Sequence, residues 1–319
     1  MRHDTLQAGG SPVGITQAEL IRLSGPARVI ALDVLRINSL QTGAYVSHFR
    51  GRGMEFDESR PYQAGDDPRN IDWRVTARST TAYTKLFREE RERPVLIMVD
   101  LRRSMHFATR GCYKSVSASR AAALLSWAAH HRGDRLGGLV FGDTTHREIK
   151  PRLGRQAALR YVHELVGHPD WGDRRAPGDP GNGERMLTEA MAALRRVARP
   201  GSQVVILSDF IDFSRASQAY LAGIARHSEV LAVFFSDPLE RKLPPPGRYR
   251  VVADGGEMGG EMTIDTVARA ARTEYREAFE KRQTLLENFC QRYGVHLMPM
   301  STDEDPVRCL QQALGKRAR

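Results

Sequence analysis

Three apolar runs, each closed by an aspartate, constrain the fold of this chain more than any other feature. Each run is as long as a strand: residues 95–99 lead to Asp100, residues 204–207 to Ser208 and Asp209, and residues 230–235 to Ser236 and Asp237. Helical patterns lie between them. Strands that are apolar throughout and alternate with helices are typical of a mostly parallel sheet covered on both faces. The sequence therefore predicts a doubly wound α/β fold of the Rossmann type.

Local patterns predict the other elements. Thr16 and Glu19 have capping-box spacing and start a short helix over 17–24. Further helices are expected at 115–132, 155–166, 187–198 and 266–293, and further strands at 83–87, 136–141 (paired with 145–150) and 295–298. Residues 238–264 interrupt the alternation with three consecutive prolines and a Gly-rich turn, which predicts a small hairpin insertion.

Shifts in composition divide the chain. We expect a flexible tail over 1–15, a small N-terminal module over 16–93, an α/β domain over 94–310 that contains the insertion, and a basic tail over 311–319.

The chain has 319 residues, and its composition predicts a cytoplasmic protein. No apolar stretch reaches the roughly 18 residues that span a bilayer, and no apolar segment of a secretory signal follows the first residues. Cys112, Cys290 and Cys309 are odd in number and widely spaced, which argues against a disulfide framework.

The formal charge of +10 is concentrated in one segment. Residues 101–160 hold 12 Lys and Arg against three acids, a net charge of 12 − 3 = +9. Such a field favours an anionic partner, either an acidic protein surface, phosphate groups or a lipid surface in peripheral contact. A well-solvated helix face is the plainer interpretation. Nucleic acid is disfavoured because no binding motif is present and aromatic residues are sparse there.

The strand-end aspartates suggest a site. In an open parallel sheet, ligands bind at the carboxyl ends of the strands, so Asp100 and Asp209 are expected to converge. Two carboxylates there could hold Mg²⁺, which prefers oxygen ligands. The alternative is that each aspartate caps the helix or turn that follows it.

Residues 100–104, Asp-Leu-Arg-Arg-Ser, resemble the Asp-x-Ser-x-Ser run of the metal-ion-dependent adhesion site in von Willebrand factor A-type domains. Other segments, above all residues 65–73, resemble a bacterial family named only as domain of unknown function 58. The motif residues there are Gly65, Asp66, Asp67, Pro68, Arg69, Asp72 and Trp73. The resemblance implies a von Willebrand A-like domain behind a family-specific module. It also implies a MoxR-type AAA+ ATPase as partner in protein assembly or maturation, and no enzymatic activity.

The chain departs from the adhesion-site pattern at one position. Arg102 replaces the first serine of the run, Asp100 and Ser104 remain, and Arg185 aligns approximately with the later threonine. Because a guanidinium competes with a dication for carboxylates, the hypothesis is that Arg102, with Arg185, replaces the metal. The predicted binding rim comprises Asp100, Arg102, Ser104, Arg185 and Asp209. If Arg102 points outward instead, Asp100, Ser104 and Asp209 remain as candidate ligands for Mg²⁺.

The acidic cluster of the N-terminal motif, Asp66, Asp67 and Asp72, admits two interpretations. A carboxylate pair for catalysis is one. A turn or docking surface neutralised by the interleaved arginines is favoured, with Trp73 packing against the α/β domain.

The leading prediction is a non-enzymatic protein-interaction module without a cofactor. One alternative is a metal-dependent phosphoesterase that uses Asp100, Asp209 and Asp212. The other is nucleic-acid binding through residues 101–160. The sequence contains no phosphate-binding loop, no nucleophile elbow and no histidine or cysteine pattern with zinc spacing.

Overall fold

The structure, a computed structural model, describes residues 10–32, 54–63, 68–79, 81–89, 94–172, 181–252 and 261–314. The strands in these ranges are β1 (Met54–Pro61), β2 (Tyr83–Glu89), β3 (Val95–Asp100), β4 (Leu136–Phe141), β5 (His146–Arg152), β6 (Gln203–Ser208), β7 (Glu229–Ser236), β8 (Arg248–Val252), β9 (Glu261–Asp265) and β10 (His296–Ser301). The α-helices are α1 (Gln17–Arg22), α2 (Trp73–Thr76), α3 (Lys114–Arg132), α4 (Arg155–Val166), α5 (Asn182–Val197), α6 (Arg215–Ala225), α7 (Pro238–Arg241), α8 (Arg269–Tyr293) and α9 (Pro306–Leu314). The chain divides into two compact units, Tyr45–Glu92 and the remainder.

The larger unit is built on a six-stranded sheet with the order β10-β7-β6-β3-β4-β5. All neighbouring strands are parallel except β5, which runs antiparallel to β4. From β3 the chain first adds β4 and β5 on one side and later β6, β7 and β10 on the other. The predicted doubly wound, mostly parallel sheet is confirmed, and the arrangement is consistent with a Rossmann-like or von Willebrand A-like fold.

Alternate residues of β3 are buried in two separate hydrophobic cores, one on each face of the sheet. Val95, Ile97 and Val99 belong to the apolar cluster on one face of the sheet, and Leu96 and Met98 belong to the cluster on the other face. Every residue of this strand is buried. This double burial is the physical reason why the strand is a continuous apolar run rather than an alternating one.

Helix α3 covers one face of the sheet and is itself almost wholly buried. Its sequence is rich in Ala and Ser, whose small side chains permit close approach to the strands, and Trp127 donates its indole N–H to the Leu20 carbonyl over 3.0 Å. The helix ends at Gly133, where φ is +83°, a conformation that glycine adopts without steric cost.

The two sheet edges are β5 and β10, and each contains a proline, Pro151 and Pro299. Because proline has no N–H to donate, it is tolerated at an edge and interrupts pairing with another strand. The predicted hairpin of β4 with β5 is confirmed, as is the insertion hairpin of β8 with β9.

Near both ends of the chain, the structure departs from the domain boundaries predicted from the sequence. Thr16 caps α1 as predicted, but α1 packs against α3 and α4 of the larger unit rather than grouping with the small module. Within the predicted N-terminal tail, residues 1–9 lie outside the described residues, whereas the Pro12 carbonyl accepts a bond from the Tyr113 N–H over 2.9 Å. Helix α9 crosses the expected boundary at 310 and buries Leu314.

The smaller unit contains a two-stranded antiparallel ribbon of β1 and β2. Asp72 caps α2 by accepting bonds from two backbone N–H groups, and Ser59 donates to its Oδ2 over 3.0 Å. The capping role agrees with the structural interpretation of this motif. Trp73 is 70% exposed, and its packing against the α/β domain stays a prediction. The predicted motif residues Gly65, Asp66 and Asp67 lie outside the described residues.

Candidate functional site

The candidate site lies at the switch point of the doubly wound sheet. Strands β3 and β6 are neighbours, but the chain leaves them in opposite directions across the sheet. Asp100 is the last residue of β3, and Asp209 directly follows β6. Ligand sites of open α/β sheets form in the crevice at this point. The convergence of these two aspartates follows from their position in the sheet.

The Asp100 carboxylate is clamped by Arg102, two residues further along the chain. The Arg102 Nε lies 3.1 and 3.2 Å from the two carboxylate oxygens, and Nη2 lies 2.8 Å from Oδ2. The Arg102 backbone N–H donates to Oδ1 over 2.9 Å, and Ser208 Oγ donates to Oδ2 over 2.7 Å. Asp100 is fully buried and Arg102 is 2% exposed. The carboxylate is therefore occupied by donors from its own chain.

The Arg102 guanidinium also joins β3 to two other segments. Its Nη1 donates to the Gly183 carbonyl over 2.9 Å, and its Nη2 donates to the Ile211 carbonyl over 3.1 Å. Two further carboxylates lie close, with Nη2 3.8 Å from Asp209 Oδ1 and Nη1 3.9 Å from Asp212 Oδ2. One inward-pointing side chain thus ties β3 to the start of α5 and to the loop after β6.

A second buried cation, Lys114 at the start of α3, neutralises Asp209. The Lys114 Nζ donates to Asp209 Oδ2 over 2.8 Å and to Glu240 Oε1 over 2.7 Å. Lys114 and Asp209 are both fully buried, and the other oxygen of Glu240 lies 3.9 Å from an Arg282 nitrogen. The two buried aspartates of the site are balanced by two buried cations.

The pKa shifts agree with this pairing. Burial by itself would lower the pKa of Arg102, but the surrounding carboxylates, chiefly Asp100, raise it above its ordinary value. Burial likewise disfavours the charged Lys114, but Asp209 and Glu240 raise its pKa. Burial would raise the pKa of Asp209, and the two cations lower it instead. All three groups stay charged at neutral pH, as a buried ion-pair network requires.

The third strand-end aspartate, Asp237, has a structural role. It accepts bonds from the Thr109 N–H over 2.8 Å and from the hydroxyls of Thr109 and Thr302, each over 2.6 Å. It also forms a capping box at α7 together with Glu240. Asp237 therefore fixes the loop after β3 against the ends of β7 and β10, which is the capping role that the plainer interpretation of a strand-end aspartate predicts.

The residues of this site do not fit Mg²⁺. The Asp100 and Asp209 oxygens accept bonds from donors of the chain, and two cations already supply the positive charge that a dication would bring. Within the described ranges, no cluster of three or more His, Cys, Asp or Glu has a geometry suited to a metal ion. Ser104, the third candidate ligand, has a buried Oγ without a hydrogen-bond partner in the described part of the chain. Its hydroxyl is the one predicted ligand that no internal bond occupies.

Arg185 lies apart from the buried network. Its side chain is 65% exposed, donates to the Asn182 side chain over 2.7 Å and approaches Glu189 to 3.7 Å. The sequence hypothesis that Arg185 joins Arg102 in place of a metal is not supported by these contacts. Arg185 belongs instead to the exposed surface at the start of α5.

The loop after β6 is held in an unusual backbone conformation. Phe210 and Asp212 have φ angles of +49° and +63°, which non-glycine residues seldom adopt. Ser208 Oγ and Asp209 Oδ1 stabilise the loop by accepting the Phe210 and Ile211 N–H groups. A cavity of about 360 Å³ opens between this loop and α8. The cavity lining includes Asp212, half of whose side chain is exposed.

Sequence reasoning missed Lys114, Ser208 and Glu240 as members of the site. One local signal was available for Lys114. It begins a helix made largely of Ala and Ser, which has no charged face for a lysine, so its side chain needs a buried acidic partner. The partners of Lys114 lie 95 and 126 positions away in the chain, and no local pattern shows those distances.

The chain is similar to a known protein family and to several proteins over most of its length. The family model described as "Protein of unknown function DUF58" matches residues 58–285. Relatives include the proteins named "Uncharacterized protein Rv1480" and "Uncharacterized protein MT1527" from two strains of Mycobacterium tuberculosis, and "Uncharacterized protein Mb1516" from Mycobacterium bovis. Each is 31% identical over 302 residues, which cover 93% of this chain and 90% of the relative.

Proposed function

This chain belongs to the DUF58 family, and from that premise we propose that it is a non-enzymatic protein-interaction module. The observation that carries the proposal is the internal neutralisation of the candidate site. Asp100 and Asp209 are bound by Arg102 and Lys114, and all four side chains are at least 98% buried. Carboxylates held in this way are occupied, so they neither bind a dication nor act as acid and base on a substrate.

The buried network acts as a support for the surface above it. Asp100, Arg102 and Asp209 are buried, so they do not touch a partner. They hold in place the loops that carry the exposed residues. Exposed groups at the same end of the sheet include Arg103, Phe107, Arg110, Arg185 and Asp212. These residues come from the loop after β3, the start of α5 and the loop after β6. We define them as the docking rim, a surface that combines three arginines, an aromatic ring and a carboxylate.

The partner we propose is a MoxR-type AAA+ ATPase, which the family resemblance implies, with a role in the assembly or maturation of other proteins. Arginine and aromatic residues, phenylalanine among them, are enriched in protein interfaces. The docking rim offers both at one end of the sheet. ATP hydrolysis would belong to the partner.

Two alternatives are weaker. A phosphoesterase that uses Asp100, Asp209 and Asp212 would need a metal, which the buried Arg102 and Lys114 displace electrostatically. Nucleic-acid binding through residues 101–160 would need those bases to be exposed together. Several of them are instead engaged in ion pairs within the chain, as with Arg120 and Glu19 or Arg147 and Glu164.

The experiment is a binding titration of the full chain against the MoxR-type ATPase encoded in the same genome. Phe107→Asp combined with Arg110→Glu should weaken binding at least about tenfold because both changes fall on the docking rim. The control combines Val267→Asp with Arg269→Glu, which alters an exposed apolar residue and an exposed arginine near the insertion hairpin.

Equal affinity of the rim variant and the wild type would overturn the docking rim. Metal-dependent hydrolysis of a generic phosphomonoester that is abolished by Asp100→Asn would overturn the non-enzymatic assignment altogether.

A further inference from the structure

The strongest charge feature that the proposed function leaves unused is a short exposed segment at the end of β5. Lys150, Arg152, Arg155 and Arg160 are all exposed, and Leu153 between them is 48% exposed. We call residues 150–160 the basic turn. It comprises the end of β5, a two-residue connection and the first turns of α4.

The cations of the basic turn differ from five other basic residues of the segment 101–160, which are paired with acids. Each of these five has an acidic partner within the chain: Arg102 has Asp100, Lys114 has Asp209, Arg120 has Glu19, Arg132 has Asp134 and Arg147 has Glu164. The nearest preceding acid, Glu148, is engaged by Arg196 at 3.2 Å. In the described part of the chain, the four cations of the basic turn have no carboxylate within ion-pair distance. Together with the exposed Arg103 and Arg110 of the docking rim, these four cations place much of the sequence excess of +9 at the surface.

The basic turn lies at the opposite end of the sheet from the docking rim. In the β4–β5 pair, Arg152 is opposite Leu136, the first residue of β4, whereas His146 is opposite Phe141, the last one. Asp100 is also paired with Phe141, so the docking rim lies at the end of the sheet where β5 begins. The two surfaces are separated by the length of the strands, and both can be occupied at once.

We propose that the basic turn docks this chain on an anionic lipid bilayer. The four cations contact lipid phosphates, and Leu153 enters the boundary between headgroups and acyl chains. An exposed apolar residue flanked by Lys and Arg is the combination that surface-bound proteins use, because electrostatic attraction and apolar insertion add. The contact is peripheral, since no helix in the described ranges is long and apolar enough to cross a bilayer.

Two other anionic partners fit the basic turn less well. An acidic peptide would gain most by adding a strand to the exposed edge of β5, but Pro151 has no N–H to donate there. Single-stranded nucleic acid would need aromatic rings for base stacking, and residues 148–160 contain none.

The test is co-sedimentation of the full chain with vesicles of phosphatidylcholine alone and with vesicles that contain about one-third phosphatidylglycerol. Binding is expected only to the anionic vesicles and should weaken with salt. Lys150→Glu, Arg152→Glu and Arg155→Glu together should lower the partition coefficient at least about tenfold. The matched control reverses three exposed arginines elsewhere, Arg269, Arg276 and Arg308.

Leu153 gives an independent readout. Leu153→Ser should lower binding several-fold without changing its salt dependence, since no charge is removed. Leu153→Trp should bind at least as well and show a blue shift of tryptophan emission with anionic vesicles that exceeds that of the wild type.

Equal loss of binding in the two triple variants would overturn the proposal, because net charge rather than the basic turn would then be responsible. Binding to polyglutamate or to single-stranded DNA with none to anionic vesicles would assign the basic turn to a different class of partner. The experiment does not involve the ATPase, so its result is independent of the docking rim.

Discussion

The Lys114 ammonium lies 2.8 Å from the Asp209 carboxylate, and both side chains are completely buried. One begins the helix that covers the sheet, and the other follows the strand next to β3. The pair therefore ties α3 to the carboxyl end of β6. Such a pair adds little net stability over an apolar pair, but removal of one partner leaves an uncompensated charge.

We expect Lys114→Met to lower the free energy of unfolding by about 3–5 kcal/mol, because Asp209 is fully buried and loses its direct cation. Lys114→Met combined with Asp209→Asn should recover part of that loss. Urea unfolding followed by circular dichroism measures both. The control is Arg276→Met, whose exposed pair with Glu280 should matter by less than about 0.5 kcal/mol. Equal losses in the two single variants would contradict the buried network.

Arg102→Ser restores the serine of the adhesion-site pattern and releases the Asp100 carboxylate. The variant should be less stable than the wild type without metal and should gain thermal stability when Mg²⁺ is added, because a dication can then take the place of the guanidinium. Differential scanning calorimetry at matched ionic strength measures the shift.

The wild type and Arg103→Ser, an exposed neighbour, should show no such gain. Calorimetric binding of Mg²⁺ by the wild type that disappears in Asp100→Ala would refute the arginine-for-metal exchange.

Asp237→Ala should destabilise the loop after β3. Four donors from Thr109, Thr302 and Leu239 lose their acceptor, and a buried donor left without a partner costs about 1–3 kcal/mol. Hydrogen exchange should therefore speed up at residues 101–113 before the core strands are affected. Asp265→Ala, a change at an exposed carboxylate, serves as the control. If the exchange rates of residues 101–113 are the same in the variant and the wild type, Asp237 does not hold this loop in place.

Protonation of His168 should oppose folding. This side chain is 2% exposed and its Nδ1 accepts the Asp170 N–H, so burial lowers its pKa and the Asp170 carboxylate offsets only part of that effect. The folded pKa is thus below the unfolded value of about 6.5. Below that pH, His168 binds a proton more readily in the unfolded chain than in the folded one. The free energy of unfolding therefore falls as the pH drops from about 7.5 to about 5.5, by up to about 1.4 kcal/mol per pH unit.

Replacement of His168 by Gln should flatten this pH dependence of the melting temperature. His163→Gln changes an exposed histidine on α4 and should leave the pH dependence of the melting temperature unchanged. Identical slopes in the two variants would mean that other groups control the acid response.

Most elements could be predicted because their causes are local. The apolar runs of β3, β6 and β7 and the cap at Thr16 depend on residues within a few positions of one another. The strand β1 and the helices α6 and α9 were among the elements missed. The sequence of β1, Met-Glu-Phe-Asp-Glu-Ser-Arg-Pro, is mostly polar, and α9 is only nine residues long. The apolar face of α9, which buries Leu310 and Leu314, was a periodic signal that the sequence analysis overlooked.

The sequence by itself determined that three aspartates end buried strands and that an arginine follows the first of them. The order of the strands then brings Asp100 and Asp209 together. Only the tertiary structure decided that Arg102 turns inward, that Lys114 completes the charge balance and that Arg185 stays exposed. Strand and helix signals repeat every two to four residues, whereas the direction of a charged side chain depends on which carboxylates distant parts of the chain place within its reach.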